Sequence, residues 1–368
     1  MISNDELRYM LALQRAPNLG DTSARKIVSH VGTAKGVFKE KRHKLLKISG
    51  IGSFKLKDLE EKYLLDEAER ELDFIHRNQI SVVTFKEDHY PERLRHCADA
   101  PLVLFYRGEL PKPEQRILSI VGTRTITSYG RSVCEQLIDE LSALNPVIVS
   151  GFAYGVDITA HMAAVNMRLT TIACLAHGFD QWYPRSHAKY VDQILEQGCF
   201  ISEFWSDDAF DRSNFLRRNR IIAGISEATI VIESAEKGGS LVTADIANSY
   251  NREVFAIPGR IGDLKSKGCN DLIRSQQAHL VTSAADIVYM LNWSLEQIET
   301  KPRQKQLFVE LNPDEQHLFD FLQEKDDVHL DTIALACNMP TFTVASLLLQ
   351  MELKGIIRPL PGKRFEAV

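Results

Sequence analysis

The sequence predicts an α/β protein in which a doubly wound, mostly parallel sheet carries a smaller, helix-rich domain on each side. Three observations support this fold class. Residues 76–290 alternate short apolar runs with segments of roughly ten to twenty residues, enough for a helix that crosses between parallel strands. Residues 1–75 contain short helical stretches joined by glycine turns. Residues 309–368 have the pattern of three helices followed by a hairpin.

Two glycine turns organise residues 1–75. The turn PNLG at 17–20 precedes TSARKIV, and the turn ISGIG at 48–52 precedes FKLKDL. Each turn is predicted to lead into an amphipathic helix with a basic residue near its start. This arrangement resembles the helix-hairpin-helix (SAM-like) motif, in which turn amides and a helix N-terminus face a DNA phosphate, and the second turn is the better match. A small helical packing domain without DNA contact remains the alternative.

Nine apolar runs in residues 76–290 are predicted to be strands of one sheet. Most are apolar throughout and do not alternate with polar residues, which is typical of strands buried on both faces. In an open sheet of this kind, ligands bind outside the carboxyl ends of the strands. The runs are ISVVTF (80–85), PLVLFY (101–106), ILSIVG (117–122), PVIVSG (146–151), TTIACLA (170–176), CFISEF (199–204), ATIVIES (228–234), EVFAIPG (253–259) and HLVTS (279–283).

The C-terminal residues indicate a winged-helix domain after a polar linker at 291–308. Helices are predicted over 313–324, 331–337 and 341–354, with a hairpin from Ile356 to Phe365, in the helix–helix–helix–wing order. The third helix would be the recognition helix, but its sequence TFTVASLLLQMEL contains no Lys or Arg. We therefore expect this domain to contact protein, and a sequence-specific transcription regulator is the less favoured alternative.

Charge is distributed unevenly along the chain. The formal net charge is −5, yet residues 1–57 contain twelve Lys or Arg against four Asp or Glu. Residues 311–368 contain five against nine. A basic surface favours contact with nucleic acid, so the N-terminal part fits such a partner and the acidic C-terminal part does not.

The N-terminus and the cysteines restrict location and chemistry. The N-terminus has acidic residues where a signal peptide needs a basic start, and no apolar run approaches the ~20 residues that span a bilayer. We expect a cytoplasmic protein. The six cysteines form no C-x-x-C pair, so we expect most of them to be buried and predict neither a metal nor a cofactor.

Two loops that follow predicted strands have the composition of anion sites. Gly122 and Thr123 let the backbone approach an anion closely, and Arg124 can make a forked contact with phosphate. The next loop, SGFAYGVD at 150–157, contains the predicted site residues Gly151, Phe152, Tyr154 and Gly155. We expect Phe152 and Tyr154 to be exposed, where their rings can stack on bases.

Two further loops add positive charge and a second glycine-rich turn. The segment 211–224 contains the strongest basic cluster of the chain, with an aromatic residue among its arginines. The segment KGGSLVTA at 237–244 is a phosphate-type loop, and a companion glycine turn follows at 257–273. The predicted site residues here are Arg212, Phe215, Arg217, Arg218, Asn219, Arg220, Gly239, Ser240 and Thr243.

Some residues in these loops also have a structural interpretation. Asp157 and His161 are four residues apart on a predicted helix, a spacing open to an acid–base pair or to two metal ligands, but no third partner is nearby. We expect them to hold the turn together through hydrogen bonds. Asn219 and Arg220 can likewise be structural, since a buried Arg often pairs with a carboxylate such as Glu203 or Glu233.

Taken in order, the loops resemble those of the DNA-processing (DprA/Smf) family. The matching motifs are G-[ST]-R, SG-x-A-x-G-[IV]-D-x-x-AH, F-x-x-RNRIIAG, GS-x-x-TA, and PG followed by G-x-N-x-LI, and they cover residues 117–290. The resemblance implies an extended Rossmann-like fold, a homodimer, and single-stranded DNA bound in a positively charged pocket. It also implies a role in natural transformation and recombination, where the family loads the recombinase RecA onto single strands.

The resemblance also assigns parts to individual residues. Gly122, Thr123 and Arg124 would grip phosphate, and the turn 151–157 would form the pocket wall. Arg218, Asn219 and Arg220 would form its floor, while Arg212 and Phe215 would offer a cation and a ring to the strand. One residue departs from the family pattern, because Tyr154 stands where the motif usually has Arg. This change removes one charge and adds a possible stacking surface.

The main rival function is an enzyme that cleaves the N-glycosidic bond of nucleoside monophosphates. Enzymes of that type use a P-G-G-x-G-T-x-x-E loop, and the stretch GGSLVTAD has the glycines without the Glu at that spacing. No G-x-G-x-x-G follows a strand, and no Walker A sequence is present. We therefore expect a protein that binds DNA without catalysing a reaction.

Overall fold

The computed structural model describes residues 2–57, 59, 62–293, 311–323, 325, 328–354, 356–360 and 364–367. They belong to two compact units, Met1–Leu295 and Glu296–Val368. Most of the predicted linker, from residue 294 onward, lies outside the described residues. The boundary predicted at residue 75 lies inside the first unit and stays a prediction.

The first unit begins with five helices: α1 (Asn4–Arg15), α2 (Asp21–Val31), α3 (Ala34–Lys39), α4 (Arg42–Leu45) and α5 (Lys62–Arg77). Ser3 caps α1 by accepting a hydrogen bond from the Glu6 amide. The apolar sides of α1, α2 and α5 meet in a core that contains the buried Met10, Ile27 and Leu64. The basic side chains of this region therefore lie on its outside.

The helix predicted after the second glycine turn is wrong where the structure describes it. Residues 53–57 form turns, and α5 begins only at Lys62. Side chains bind carbonyl groups that a helix needs for itself, because Arg42 donates to Ser53 O and Leu56 O and Lys55 donates to Gly50 O. The first turn does lead into a helix, α2. DNA contact by either turn stays a prediction.

The rest of the first unit is a nine-stranded sheet with helices on both faces. The predicted fold class is confirmed, and each of the nine apolar runs overlaps one strand. The strands are β1 (Ser81–Thr84), β2 (Val103–Gly108), β3 (Ile117–Val121), β4 (Val147–Ser150), β5 (Thr171–Cys174), β6 (Cys199–Ser202), β7 (Ala228–Val231), β8 (Glu253–Ala256) and β9 (His279–Leu280). The helices are α6 (Glu92–Arg95), α7 (Ser128–Leu141), α8 (Val156–Asn166), α9 (Val191–Leu195), α10 (Ser213–Ile225), α11 (Gly239–Ser249), α12 (Lys267–Arg274) and α13 (Ala284–Met290).

The strand order places a switch of direction in the middle of the sheet. The order is β1-β2-β6-β5-β4-β3-β7-β8-β9, and the strands from β6 to β9 in this order are parallel. From β3 the chain moves outward through β4 and β5 to β6, and it then returns to pair β7 with the other side of β3. At such a point neighbouring loops diverge and leave a crevice at the carboxyl ends of the strands.

The second unit is a small helical domain with a three-stranded sheet. Its elements are α14 (Pro313–Gln323), β10 (Val328–His329), α15 (Leu330–Ala336), α16 (Thr341–Leu353), β11 (Ile357–Leu360) and β12 (Arg364–Ala367), with strand order β10-β12-β11. Its core includes the fully buried Leu318, Ile333, Val344 and Met351. This is the predicted winged-helix order, and β11 and β12 are the wing.

Among the residues that the structure describes, no single helix is long and apolar enough to cross a membrane. Helices α15 and α16 reach the required length only together, and they meet at a bend of 111°. All six cysteines are buried, as predicted. No group of three or more His, Cys, Asp or Glu side chains in the described part of the chain is placed to hold a metal ion.

Candidate functional site

A cavity of about 260 Å³ opens at the carboxyl ends of β3, β4 and β7, where the strand order reverses. Its walls come from the loops after these strands, from one side of α10 and from the start of α11. It therefore lies where a doubly wound sheet binds its ligands. The predicted site residues that line it are Gly122, Thr123, Arg124, Asp157, Phe215, Arg218, Asn219, Gly239, Ser240 and Thr243.

Backbone hydrogen bonds and two glycines hold the three loops together. The Thr123 amide donates to Glu233 O at 2.8 Å, and the Val156 amide donates to Thr123 O at 3.1 Å. Gly155 has φ +79°, and a Cβ at this position would overlap the Thr123 carbonyl oxygen. A Cβ on Gly122 would overlap the Val156 side chain. The glycines predicted from the sequence are therefore needed for the loops to approach each other.

Arg124 stands exposed at the mouth of the cavity. Its guanidinium carbon lies 5.0 Å from the centre of the Phe215 ring, a cation–π distance, so the ring holds the charge at the mouth. The ammonium of Lys265 donates to the neighbouring Thr125 carbonyl and adds a second positive charge beside this loop. The mouth therefore attracts an anion and offers a forked hydrogen-bond donor.

Asp157 and Arg218 form a buried pair in the cavity wall. Burial raises the Asp157 pKa and lowers the Arg218 pKa, while the charge of each residue opposes the shift of the other. Asp157 accepts a hydrogen bond from the Ala153 amide at 3.3 Å, and Arg218 donates to Cys174 O. A Cβ on Gly151 would overlap both charged groups, so a larger residue there would displace at least one of them. The Arg218 Nε is buried and has no hydrogen-bond partner among the described residues.

The start of α11 closes the opposite wall. Gly239 is the first residue of this helix, and a Cβ at its position would meet no atom within 4 Å. Ser240 donates to the Ser234 hydroxyl at 2.9 Å, which fixes the turn before the helix. An anion can therefore approach the backbone amides at the positive end of an eleven-residue helix.

The expected exposure of Phe152 is wrong. Its side chain is 3% exposed, and its ring is packed edge-on against four rings at centroid distances of 5.1–6.4 Å. The residue lies two positions after β4 and belongs to the apolar core, so its ring cannot stack on a base. Tyr154 is 48% exposed as expected, but it lies outside the cavity lining and its hydroxyl is 2.9 Å from the Ser186 hydroxyl.

Arg220 and Arg217 lie on the side of α10 that faces away from the cavity. Arg220 is buried and its guanidinium bonds with Glu203 and, at 3.1 Å, with Asp21 of α2. This is the structural alternative predicted from the sequence, and the assignment of Arg220 to the pocket floor is wrong. Arg217 is half exposed and donates to Glu203 at 3.0 Å. Arg212 is exposed at the residue before α10 and does not line the cavity.

His161 lies beneath the turn after β4. Its Nε2 is 2.5 Å from Gly151 O and its Nδ1 is 2.7 Å from the Thr171 hydroxyl, so the ring links the turn to β5. Burial lowers the His161 pKa to about 4. The ring is therefore neutral at physiological pH and acts as a hydrogen-bonding strut, in the way the sequence indicated.

We expect the buried His161 to make the protein less stable as the pH falls below 7. The unfolded state takes up a proton near pH 6.5, whereas the folded state does so only near pH 4. This difference removes about 3 kcal/mol of unfolding free energy between these values. Urea unfolding from pH 7.5 to 4.5 should show a shallower pH dependence for His161→Gln than for the wild type. His96→Gln, at a ring that is 71% exposed, should leave the slope unchanged.

Several residues of the site carry no sequence signal that separates them from structural residues. Glu233 accepts hydrogen bonds from the amide and hydroxyl of Thr127 and so positions the start of α7 beside the cavity. Tyr183 and Phe210 lie next to Phe215 at the mouth. Both rings come from irregular loops, where no periodicity shows which way a side chain points.

A second, larger cavity of about 610 Å³ lies near the start of β3. Its lining includes Tyr90, Leu110 and three prolines, with Arg93 among the charged residues. This position is at the amino ends of the parallel strands, away from the glycine-rich loops. We therefore assign the functional site to the smaller cavity.

The fold and this cavity define a Rossmann-like α/β protein with a glycine-rich, arginine-lined pocket at the switch point of its sheet. Comparison with protein families identifies it further: the family of DNA recombination-mediator protein A matches residues 81–292, and the DprA winged helix domain matches residues 302–363. The chain belongs to this DprA/Smf family.

Individual relatives agree with this assignment. The chain is 37% identical to Protein Smf of Escherichia coli over 280 residues, 74% of each chain. It is 31% identical to a putative DNA processing protein DprA of Mycobacterium tuberculosis over 312 residues, which cover 81% of this chain and 80% of the relative.

Solved structures of family members have the same fold. The crystal structure of DprA from Streptococcus pneumoniae aligns with a TM-score of 0.62 and 32% identity, over 78% of this chain and 98% of that one. DprA from Helicobacter pylori, whose structure describes its single-stranded DNA binding mode, aligns with a TM-score of 0.52 and 29% identity. That alignment covers 58% of this chain and 96% of the other.

Proposed function

We propose that this protein binds and protects single-stranded DNA through the cavity and helps to load the recombinase RecA onto that strand during DNA uptake and recombination. We further propose that it acts in the cytoplasm as a homodimer. The family membership and the single-stranded DNA binding of the Helicobacter pylori relative support the nucleic-acid partner. The recombinase partner and the dimer rest on the family resemblance.

One observation carries the proposal. The exposed Arg124 guanidinium, the buried Arg218 and the open start of α11 all line the same cavity. Two cations and a helix N-terminus can hold a phosphate from different directions. These groups act on the backbone of DNA, so the binding they provide does not depend on base sequence.

The preference for a single strand follows from the aromatic residue at the mouth. Phe215 lines the cavity directly below Arg124. A base can stack on this ring only if it is not already stacked and paired inside a duplex. A duplex therefore gains the phosphate contact without the base contact.

The position of Asp157, the carboxylate among the described cavity-lining residues, supports a protein that binds DNA without catalysing a reaction. Asp157 is bonded to the Ala153 amide and faces the buried charge of Arg218. A general base needs a carboxylate that can reach a substrate proton. Asp157 is held within the wall, so we assign it to positioning Arg218.

Anisotropy titrations with labelled oligonucleotides test the proposal. We expect sub-micromolar affinity for single strands of roughly ten or more nucleotides and much weaker binding to the matched duplex. Each neutralised phosphate of a single strand contributes about −0.7 to the slope of log affinity against log salt, so each contacted phosphate should lower the affinity about 2.6-fold between 50 and 200 mM salt, and three contacts should lower it more than tenfold. Equal binding of the duplex, or a slope near zero, would contradict the proposed pocket.

The recombinase part is tested separately on strands already covered by a single-strand-binding protein. RecA hydrolyses ATP when it forms filaments on DNA, so addition of this protein should shorten the lag before hydrolysis begins. An unchanged lag in the presence of normal DNA binding would remove the loading role and leave the DNA-binding role intact.

A further inference from the structure

We propose that Tyr183 and Phe210 join Phe215 in an aromatic platform that stacks an unpaired nucleobase next to the phosphate held at the cavity. This inference rests on the proposed DNA-binding function and extends it beyond the phosphate contacts. The three rings come from two separate loops and the start of α10. Their centroids lie 4.6 Å apart for Tyr183 and Phe210, 5.6 Å for Phe210 and Phe215, and 5.8 Å for Tyr183 and Phe215.

The platform is exposed to solvent although its rings are large and apolar. Tyr183 is 38% exposed and Phe210 is 44% exposed. The contacts of both rings with Phe215 continue this apolar surface from the loops to α10. A contiguous apolar patch on the surface of a soluble domain is unfavourable in water, and such patches commonly mark binding sites.

The nearby core does not account for these exposed rings. Trp182, the neighbour of Tyr183 in sequence, packs against Phe152 and Phe200. Tyr183, by contrast, makes its ring contacts with Phe210 and Phe215 only among the described pairs. The chain therefore places one ring of this dipeptide among core rings and the other at the mouth.

The platform is continuous with the phosphate groups. Phe215 belongs both to the platform and to the cavity lining, and Arg124 lies over its ring. Tyr183 and Phe215 also line a small cleft together with Arg218. A nucleotide whose phosphate is held by these arginines thus has three rings within reach of its base.

The chemistry of the ligand follows from the kind of contact that rings provide. Every base has a π face, so stacking recognises an unpaired nucleobase without selecting its identity. Stacking of a base on these rings releases no counterions, whereas a contact between an arginine and a phosphate does. Loss of the platform should therefore lower affinity without changing the salt slope.

The platform is tested by a double-mutant cycle in which one change is made in the protein and the other in the DNA. The protein variant carries Tyr183→Ala and Phe210→Ala, and the DNA partner is a thymidine oligonucleotide or the same backbone with abasic positions. We expect the variant to bind the thymidine strand roughly tenfold to hundredfold more weakly, with an unchanged salt slope. Both proteins should bind the abasic strand alike, since no base remains to stack.

Control variants separate loss of the rings from loss of folding. Tyr183→Phe with Phe210→Tyr keeps the rings and should retain wild-type affinity. Tyr289→Ala removes a ring that is 83% exposed on α13 and should change nothing. Thermal unfolding of each variant checks that the fold is kept.

Two results would overturn the platform while leaving the proposed function in place. One is wild-type affinity of the double variant for the thymidine strand. The other is an equal loss on thymidine and abasic strands, which would show that the rings act on the backbone or the fold. If the wild type itself fails to bind the thymidine strand, the proposed function fails, and the two outcomes are thus distinguishable.

Discussion

Arg124→Ala should weaken the binding of single-stranded DNA by roughly tenfold to hundredfold. The guanidinium is exposed at the mouth of the cavity above the Phe215 ring, where it can give a phosphate two hydrogen bonds. A hydrogen bond to a charged group is worth about 1.5–3 kcal/mol, which corresponds to that loss of affinity. The salt slope should also become less steep by about 0.7, because one phosphate contact is gone.

Two further variants make this measurement specific. Arg124→Lys keeps the charge but not the fork, so it should retain the salt slope while losing part of the affinity. Arg274→Ala removes an arginine that is 80% exposed on α12 and should leave both quantities unchanged. Normal binding by Arg124→Ala would place the ligand elsewhere on the molecule.

Arg220→Ala should destabilise the first unit by about 3–5 kcal/mol and leave the intrinsic DNA affinity of the folded protein unchanged. Glu203 is completely buried, and Arg220 is its most buried cationic partner. Removal of one member of a buried pair leaves the other charge uncompensated, which is costly. Arg220 also bridges to Asp21, so the substitution disconnects α10 from α2.

The effect of Arg220→Ala should depend on pH in a defined direction. Burial raises the Glu203 pKa, and the charge of Arg220 opposes this shift. Without Arg220, the pKa of Glu203 in the folded state rises further. At low pH Glu203 is then protonated and leaves no uncompensated charge, so the variant is destabilised less. This advantage is lost as the pH increases through the Glu203 pKa. Urea unfolding at pH 5 and pH 8 should therefore show the larger destabilisation at pH 8.

Arg217→Ala is the matched control for this prediction. Its side chain is 51% exposed and bonds to the same Glu203 oxygen, yet Arg220 remains to compensate the carboxylate. An exposed ion pair contributes little, so we expect a loss below about 1 kcal/mol. Equal effects of the two substitutions would contradict the assignment of Arg220 as the principal buried partner.

The sheet could be predicted from the sequence because both of its faces are covered. A strand buried on both sides must be apolar throughout, and nine such runs became nine strands. The loops after β3, β4 and β7 could be assigned to one site for a related reason. Parallel strands end at the same edge, so loops that are distant in sequence meet there.

The error at Arg220 reflects the geometry of α10. Phe215, Arg218, Asn219 and Ile222 line the cavity at the helical spacing of three and four residues. Arg220 lies outside this spacing and faces the other side of the helix. Helical periodicity applied to the basic cluster would have separated the arginines, but the presence of Asp21 behind the helix could not be read from the sequence.

The remaining errors come from contacts that join distant parts of the chain. Phe152 became buried because rings from 182, 187 and 200 surround it, and none of them is near in sequence. The missing helix after the second glycine turn has a similar cause, since Arg42 binds the carbonyl groups of residues 53 and 56. Such tertiary contacts override local preference.

The two sides of α10 connect the cavity to the N-terminal helices. The side that contains Phe215 and Arg218 borders the cavity, while Arg220 on the other side is tied to Asp21 at the start of α2. The position of α10 is thus determined by contacts around the cavity on one side and by the contact with α2 on the other. A ligand that binds only the folded cavity would therefore raise the free energy of unfolding of the whole first unit, including its N-terminal helices.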